Sequence, residues 1–115
     1  MEVDIPDNKL RKAATDMKSA IKQYGPDMAR KLHIRMASLK AADSLGVFWP
    51  PKSGPERCHE LQGRDAAKFT VDLAHPYRLV FIPIEDEPPT DRSNEQEHWS
   101  KITKIQLLSI EDTHD

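Results

Sequence analysis

Five side chains in the second half of the chain have the types that phosphodiester chemistry uses: His59, Arg64, Lys68, Arg78 and His114. An imidazole with an ordinary pKa of about 6.5 exchanges protons at cellular pH. Guanidinium groups stabilise the extra charge of a pentacoordinate phosphorus transition state and need no metal to do so. One base, one acid and an arginine are the set that cleaves RNA through its own 2′-hydroxyl. Arg78 stands out because it interrupts the otherwise burial-seeking run AHPYRLVF, residues 74–81. In a strand covered on one side, Tyr77, Leu79 and Phe81 take the covered face and Arg78 projects from the other. The same alternation sets Lys68 with Thr70 and Asp72, away from the Phe69 face, with His59 and Arg64 just before them. His114 joins this group only if the last strand lies beside the Arg78 strand. An ordinary solvated face, with Arg78 paired to Asp72 or Asp112, fits the same residues, and their types and spacing leave both readings open.

Little else in the chain suggests chemistry. His33 stands among basic residues on a helix and reads as a surface residue, while His98 and Trp99 close an acidic stretch that Trp99 anchors to the core. No carboxylate and histidine cluster has metal-ligand spacing, so no metal is expected. Glycine-rich phosphate loops, a nucleophile elbow and zinc knuckles are missing too, so no cofactor is expected. The single cysteine, Cys58, has no partner for an internal disulfide and reads as a small buried hydrophobe.

The elements that must position these groups are legible from periodicity. Val3 and Ile5 alternate with charged residues in a short strand that Pro6 ends. Asp7 offers an N-cap, and Leu10, Ala13, Ala14, Met17, Ile21 and Tyr24 form the stripe of one amphipathic helix that Gly25 and Pro26 stop. A second helix restarts near Asp27, with Met28, Leu32, Met36 and Leu39 inward and Arg30, Lys31, Arg35 and Lys40 outward. So short a link folds the helices into a hairpin. After the proline- and glycine-rich segment GVFWPPKSGP the period changes to two. RCHELQG, KFTVDL and YRLVFIPI then predict three strands of an antiparallel meander, and ITKIQLLSIED a final strand after a polar loop over about 85–100. The expected class is α+β, in the order β-α-α-β-β-β-β, with the helical hairpin on one face of a mostly antiparallel sheet.

With 115 residues, 37% hydrophobic and 31% charged, the chain suits one globular domain over residues 1–115. Its first residues lack a signal-peptide core and no stretch is long enough to span a bilayer, so a cytoplasmic location without a membrane partner is expected. The net charge of −2 hides a sorting along the chain. From Asn8 to Lys40 nine Lys and Arg residues face only Asp16 and Asp27, whereas from Glu85 to Glu97 six acidic residues face only Arg92. A basic helical hairpin with Lys31 and Arg35 suits a polyanion, through phosphate contacts that give affinity rather than sequence choice. A plain solvated helix face explains it equally well.

The segments CHELQGRDAAKFTVDLAHPYRLVF and WSKITKIQLLSIEDTHD, with KLRKAATDMKSAIKQYG and ARKLHIRMASLKAA before them, resemble the RelE/ParE superfamily of toxins from bacterial toxin-antitoxin modules. The likeness is to the HigB-like branch, often labelled "killer" proteins, and spans nearly the whole chain. It implies a ribosome-dependent endoribonuclease that cuts mRNA without a metal, partnered by a helix-turn-helix antitoxin. The resemblance assigns His59 to the histidine of the family's turn, Arg78 to the strand arginine facing the scissile phosphate, and His114 to the C-terminal histidine. Arg64 matches the basic residue after the glycine, Lys68 lacks a secure counterpart, and Lys31 and Arg35 would lie against ribosomal RNA. Two departures, Thr113 where a tyrosine is common and Gln62 where a lysine is common, imply a slower nuclease, since each such group contributes on the order of 10² or more. A toxin-fold binding module that acts only through its antitoxin is the alternative, with gyrase poisoning a further one.

Overall fold

The structure, a computed structural model, describes residues 1–63, 67–87 and 92–112. Strand β1 (Glu2–Asp4) leads to Asp7, whose carboxylate accepts the Leu10 N–H at 3.2 Å and starts α1 (Asn8–Thr15). Helix α2 (Met17–Tyr24) ends at Gly25, whose φ of 85° lies in the region glycine tolerates, and Pro26 opens α3 (Pro26–Ala41). A 3-10 turn (Leu45–Phe48) follows. Then come β2 (His59–Glu60), β3 (Phe69–Asp72), β4 (Tyr77–Pro83), α4 (Glu95–Lys101) and β5 (Lys104–Asp112).

The strands form one sheet in the order β1-β5-β4-β3-β2, with β1 parallel to β5 and every other pair antiparallel. The expected α+β class and the β2-β3-β4 meander are therefore present. Leu10, Ala13 and Ala14 of α1 and Leu32, Met36 and Leu39 of α3 share one core with Phe69, Val71, Leu79, Phe81, Ile105 and Leu107 of the sheet. His33 ties the helices together, its Nε2 donating to the Ala13 carbonyl at 2.8 Å.

Three expectations need correction. The single first helix is two, because Asp16 adopts an extended conformation and its carboxylate accepts hydrogen bonds from the Ser19 N–H and hydroxyl. A capping side chain competes with continuation of the helix, and the break turns Met17 and Ile21 outward, 39% and 43% exposed. Arg35, assigned to the outer basic face, is 5% exposed. Its Nε donates to the Asp72 carbonyl at 2.7 Å and its Nη2 to the Pro55 carbonyl at 3.0 Å, so it joins α3 to the end of β3 and to the proline-rich segment. Buried and committed to backbone carbonyls, it is not placed to touch RNA phosphate. Lastly, the polar stretch is not all loop: Asn94 caps α4 by accepting the Glu97 N–H, and Trp99 packs edge-on against Trp49 and Phe69.

Candidate functional site

Register decides which side chains share the sheet face opposite Leu79 and Phe81, on which Thr70 and Val80 are themselves buried. His59 lies opposite Thr70, and Thr70 opposite Val80, so these form one row across β2, β3 and β4. Arg78 lies opposite Asp72 on one side and Glu111 on the other, forming the row two residues along. The alternation that turned Arg78 away from Leu79 and Phe81 therefore also turns it to the side of His59. Both residues line a cleft of about 610 Å³. Its other walls are Trp49, Pro51 and Lys52 from the proline-rich segment, Glu60, Leu61 and Gln62, and Arg92, Glu95 and Trp99 from the insertion.

The imidazole of His59 is oriented by its neighbour's backbone. Nδ1 stands 3.0 Å from the Arg57 carbonyl. A carbonyl oxygen only accepts, so Nδ1 carries the proton, and in the neutral ring Nε2 keeps its lone pair. That is the protonation pattern a general base requires.

Arg78 reaches the cleft with only part of its side chain. Its side chain is 17% exposed and its Nε lies 3.2 Å from Asp72 Oδ1, while Arg57 Nε approaches Asp72 Oδ2 at 3.4 Å. One carboxylate thus sits between two guanidinium groups. Asp72 Oδ1 is buried and accepts no aligned hydrogen bond, so the contact with Arg78 is electrostatic rather than directional.

A second charged group closes the cleft on the insertion side. Arg92 donates from Nη2 to Glu60 Oε1 at 2.5 Å and from Nε and Nη2 to Glu95 at 2.8 and 3.1 Å. The hydrogen bond to Glu95, joined by that to Glu60, holds the Arg92 guanidinium even more firmly protonated than usual, and the same bond from Arg92 holds Glu95 below its ordinary value. Glu60 is fixed through its other oxygen, which accepts the Ala67 N–H at 2.8 Å.

The remaining sequence candidates divide by place. Lys68 is partly buried just before β3 and is not among the walls of the cleft, and Lys31 is exposed on α3, from which no described wall residue comes. Arg64 and His114 lie outside the described residues; β5 ends at Asp112, opposite Tyr77. Sequence reasoning passed over Lys52, Glu60, Arg92 and Glu95, whose only local signal was that each is a charge next to a turn or within the acidic stretch. Cys58 is fully buried, and burial pushes its thiol far above the ordinary range. Among the described residues, no group of three or more His, Cys, Asp or Glu side chains could hold a metal ion, and no helix is long and apolar enough to cross a membrane.

The arrangement can be set beside known proteins. A YoeB/ParE toxin from Agrobacterium tumefaciens superposes with a TM-score of 0.56 at 10% identity, over 99% of this chain and 100% of that one. The two chains share a fold. A YoeB-YefM complex from Staphylococcus aureus gives a TM-score of 0.53 at 15% identity, over 100% of this chain and 98% of that one. No protein-family model matches the sequence, and no curated protein is significantly similar to it. On this toxin-like fold the helical layer covers one face of the sheet, and the cleft with His59 and Arg78 lies at its β2 side.

Proposed function

We propose that this chain is the toxin of a type II toxin-antitoxin module, of the HigB-like branch, and that it cleaves mRNA on the ribosome in the cytoplasm. The observation that carries this is the shared cleft of His59 and Arg78, an oriented imidazole and a guanidinium that lie far apart in sequence. In the reaction His59 Nε2 removes the proton of a 2′-hydroxyl, and the oxygen attacks the adjacent phosphorus. Arg78, helped by Arg64, stabilises the developing charge. The bond to the 5′-oxygen breaks, that oxygen takes a proton from His114, and a 2′,3′-cyclic phosphate remains. All of this is acid-base and electrostatic chemistry, which guanidinium and imidazole groups supply without a metal. A helix-turn-helix antitoxin is the partner this reading calls for.

One feature favours a second reading. The Asp72 carboxylate beside Arg78 is what an inert, ion-paired sheet face would contain, and it fits a toxin-fold binding module that acts only through its antitoxin. Arg78→Ala separates the two. Primer extension on mRNA after brief expression should show wild-type cleavage sites vanish in the variant, while antitoxin binding in vitro persists. Absence of cleavage by the wild-type protein, with antitoxin binding intact, selects the binding module.

A further inference from the structure

The insertion between β4 and β5 brings Arg92 to the cleft, and nothing in the reaction above uses it. Among the described residues its guanidinium is held by two carboxylates, Glu95 through a two-point fork and Glu60 through one bond. Carboxylate and phosphate present the same pair of oxygens to a guanidinium, so they are interchangeable partners for it. The side chain of Arg92 is 43% exposed, and exposed ion pairs are weak enough to be exchanged. The two carboxylates differ in freedom. Glu60 is fixed by the Ala67 N–H, whereas Glu95 lies three residues after Arg92, at the start of α4. Together the three groups carry one net negative charge on a wall that otherwise presents Lys52, His59 and Arg78.

We propose that Arg92 is a substrate-phosphate-binding residue of the cleft, held in reserve by Glu60 and Glu95, and that RNA enters by exchanging its phosphodiester for these carboxylates. The inference rests on the reading of the cleft as an RNA site but not on the cleavage step. Arg92 adds one phosphate contact outside the sheet face, and the carboxylates set the threshold for filling it. Glu95 and Glu60 then compete with RNA for Arg92 at the wall of the cleft.

The test is binding of a 2′-O-methyl RNA hexamer, which lacks the attacking hydroxyl, followed by fluorescence anisotropy at fixed low salt. Glu95→Gln should bind about 3- to 10-fold tighter than the unmodified protein, and Arg92→Ala about 10-fold weaker. In the double variant the gain from Glu95→Gln should disappear, because the group it releases is gone. Glu97→Gln makes the same charge change on the same helix away from this cleft, and should alter affinity less than about 2-fold. Equal tightening by Glu97→Gln, tightening that survives in the Arg92→Ala background, or no tightening by Glu95→Gln each overturns the proposal, as does failure of every variant to bind. Should Arg92→Ala not fold, the sign and size of the difference between Glu95→Gln and Glu97→Gln decide the matter alone. Binding that follows this pattern in a protein that never cleaves mRNA removes the nuclease reading and leaves the exchange standing.

Discussion

Replacing Arg35 with methionine keeps the aliphatic stem and removes the two hydrogen bonds that join α3 to the Asp72 and Pro55 carbonyls, at 2.7 and 3.0 Å. A hydrogen bond from a charged donor contributes about 1.5–3 kcal/mol, so the pair amounts to about 3–6 kcal/mol gross. Removing the guanidinium also removes its desolvation cost, which brings the expected net loss to about 2–4 kcal/mol. With a urea m-value of about 2 kcal/mol/M, the unfolding midpoint should fall by about 1–2 M. The consequence reaches the cleft, because Asp72 is the partner of Arg78 and its N–H donates to Glu56, and the same proline-rich segment carries Lys52. Urea titration followed by circular dichroism, with anisotropy of a bound RNA hexamer in parallel, tests the reasoning. A midpoint within about 0.3 M of wild type together with a selective loss of RNA affinity would refute it, returning Arg35 to the basic surface.

The other expectations concern the cleft and its surroundings. His59→Gln should lower the single-turnover cleavage rate by about 10²- to 10⁴-fold with the fold retained, and an unchanged rate would remove His59 as the base. Because Glu95 is held below its ordinary value of 4.5, the stability from its bond to Arg92 is present above that pH and is lost as the pH falls through the lowered value. The gap between the urea midpoints of wild type and Glu95→Gln should therefore be full at pH 6 and shrink steadily as the pH is taken below 4.5, and a gap that stays constant down to the acid-unfolding limit would contradict the assignment. Cys58 should resist a thiol reagent at pH 8 in the native protein and react fully in denaturant, since its side chain is buried and its thiol strongly protonated. Rapid native labelling would show that the site opens.

The places where sequence reasoning held were governed by local rules. Asp7 as a cap, Gly25 as a stop and the alternation of Leu79 and Phe81 against Arg78 each depend on residues within a turn or two of one another, whereas Tyr77, expected on the covered face with them, is 45% exposed at the start of the strand. The single first helix failed for a local reason as well, since the apolar stripe ran on through Met17 and Ile21 while the capping preference of Asp16 broke it. Arg35 failed for a different reason. On helical spacing it reads as one more outward cation, and its burial depends on carbonyls that lie 20 and 37 positions away. The short helix over Glu95–Lys101 was hidden because a polar, acidic composition carries no apolar period to read.

The sequence by itself determined the class of fold, the meander and the face on which Arg78 emerges, because backbone alternation and capping are short-range and every residue needed for them is a neighbour. Tertiary structure alone decided what Arg78 meets there: the Asp72 carboxylate, the oriented His59 ring and the Arg92 bonds to Glu60 and Glu95 across the cleft. Those encounters depend on strand register and on where two loops come to rest, and both follow from packing the whole chain rather than from the preferences of any one segment.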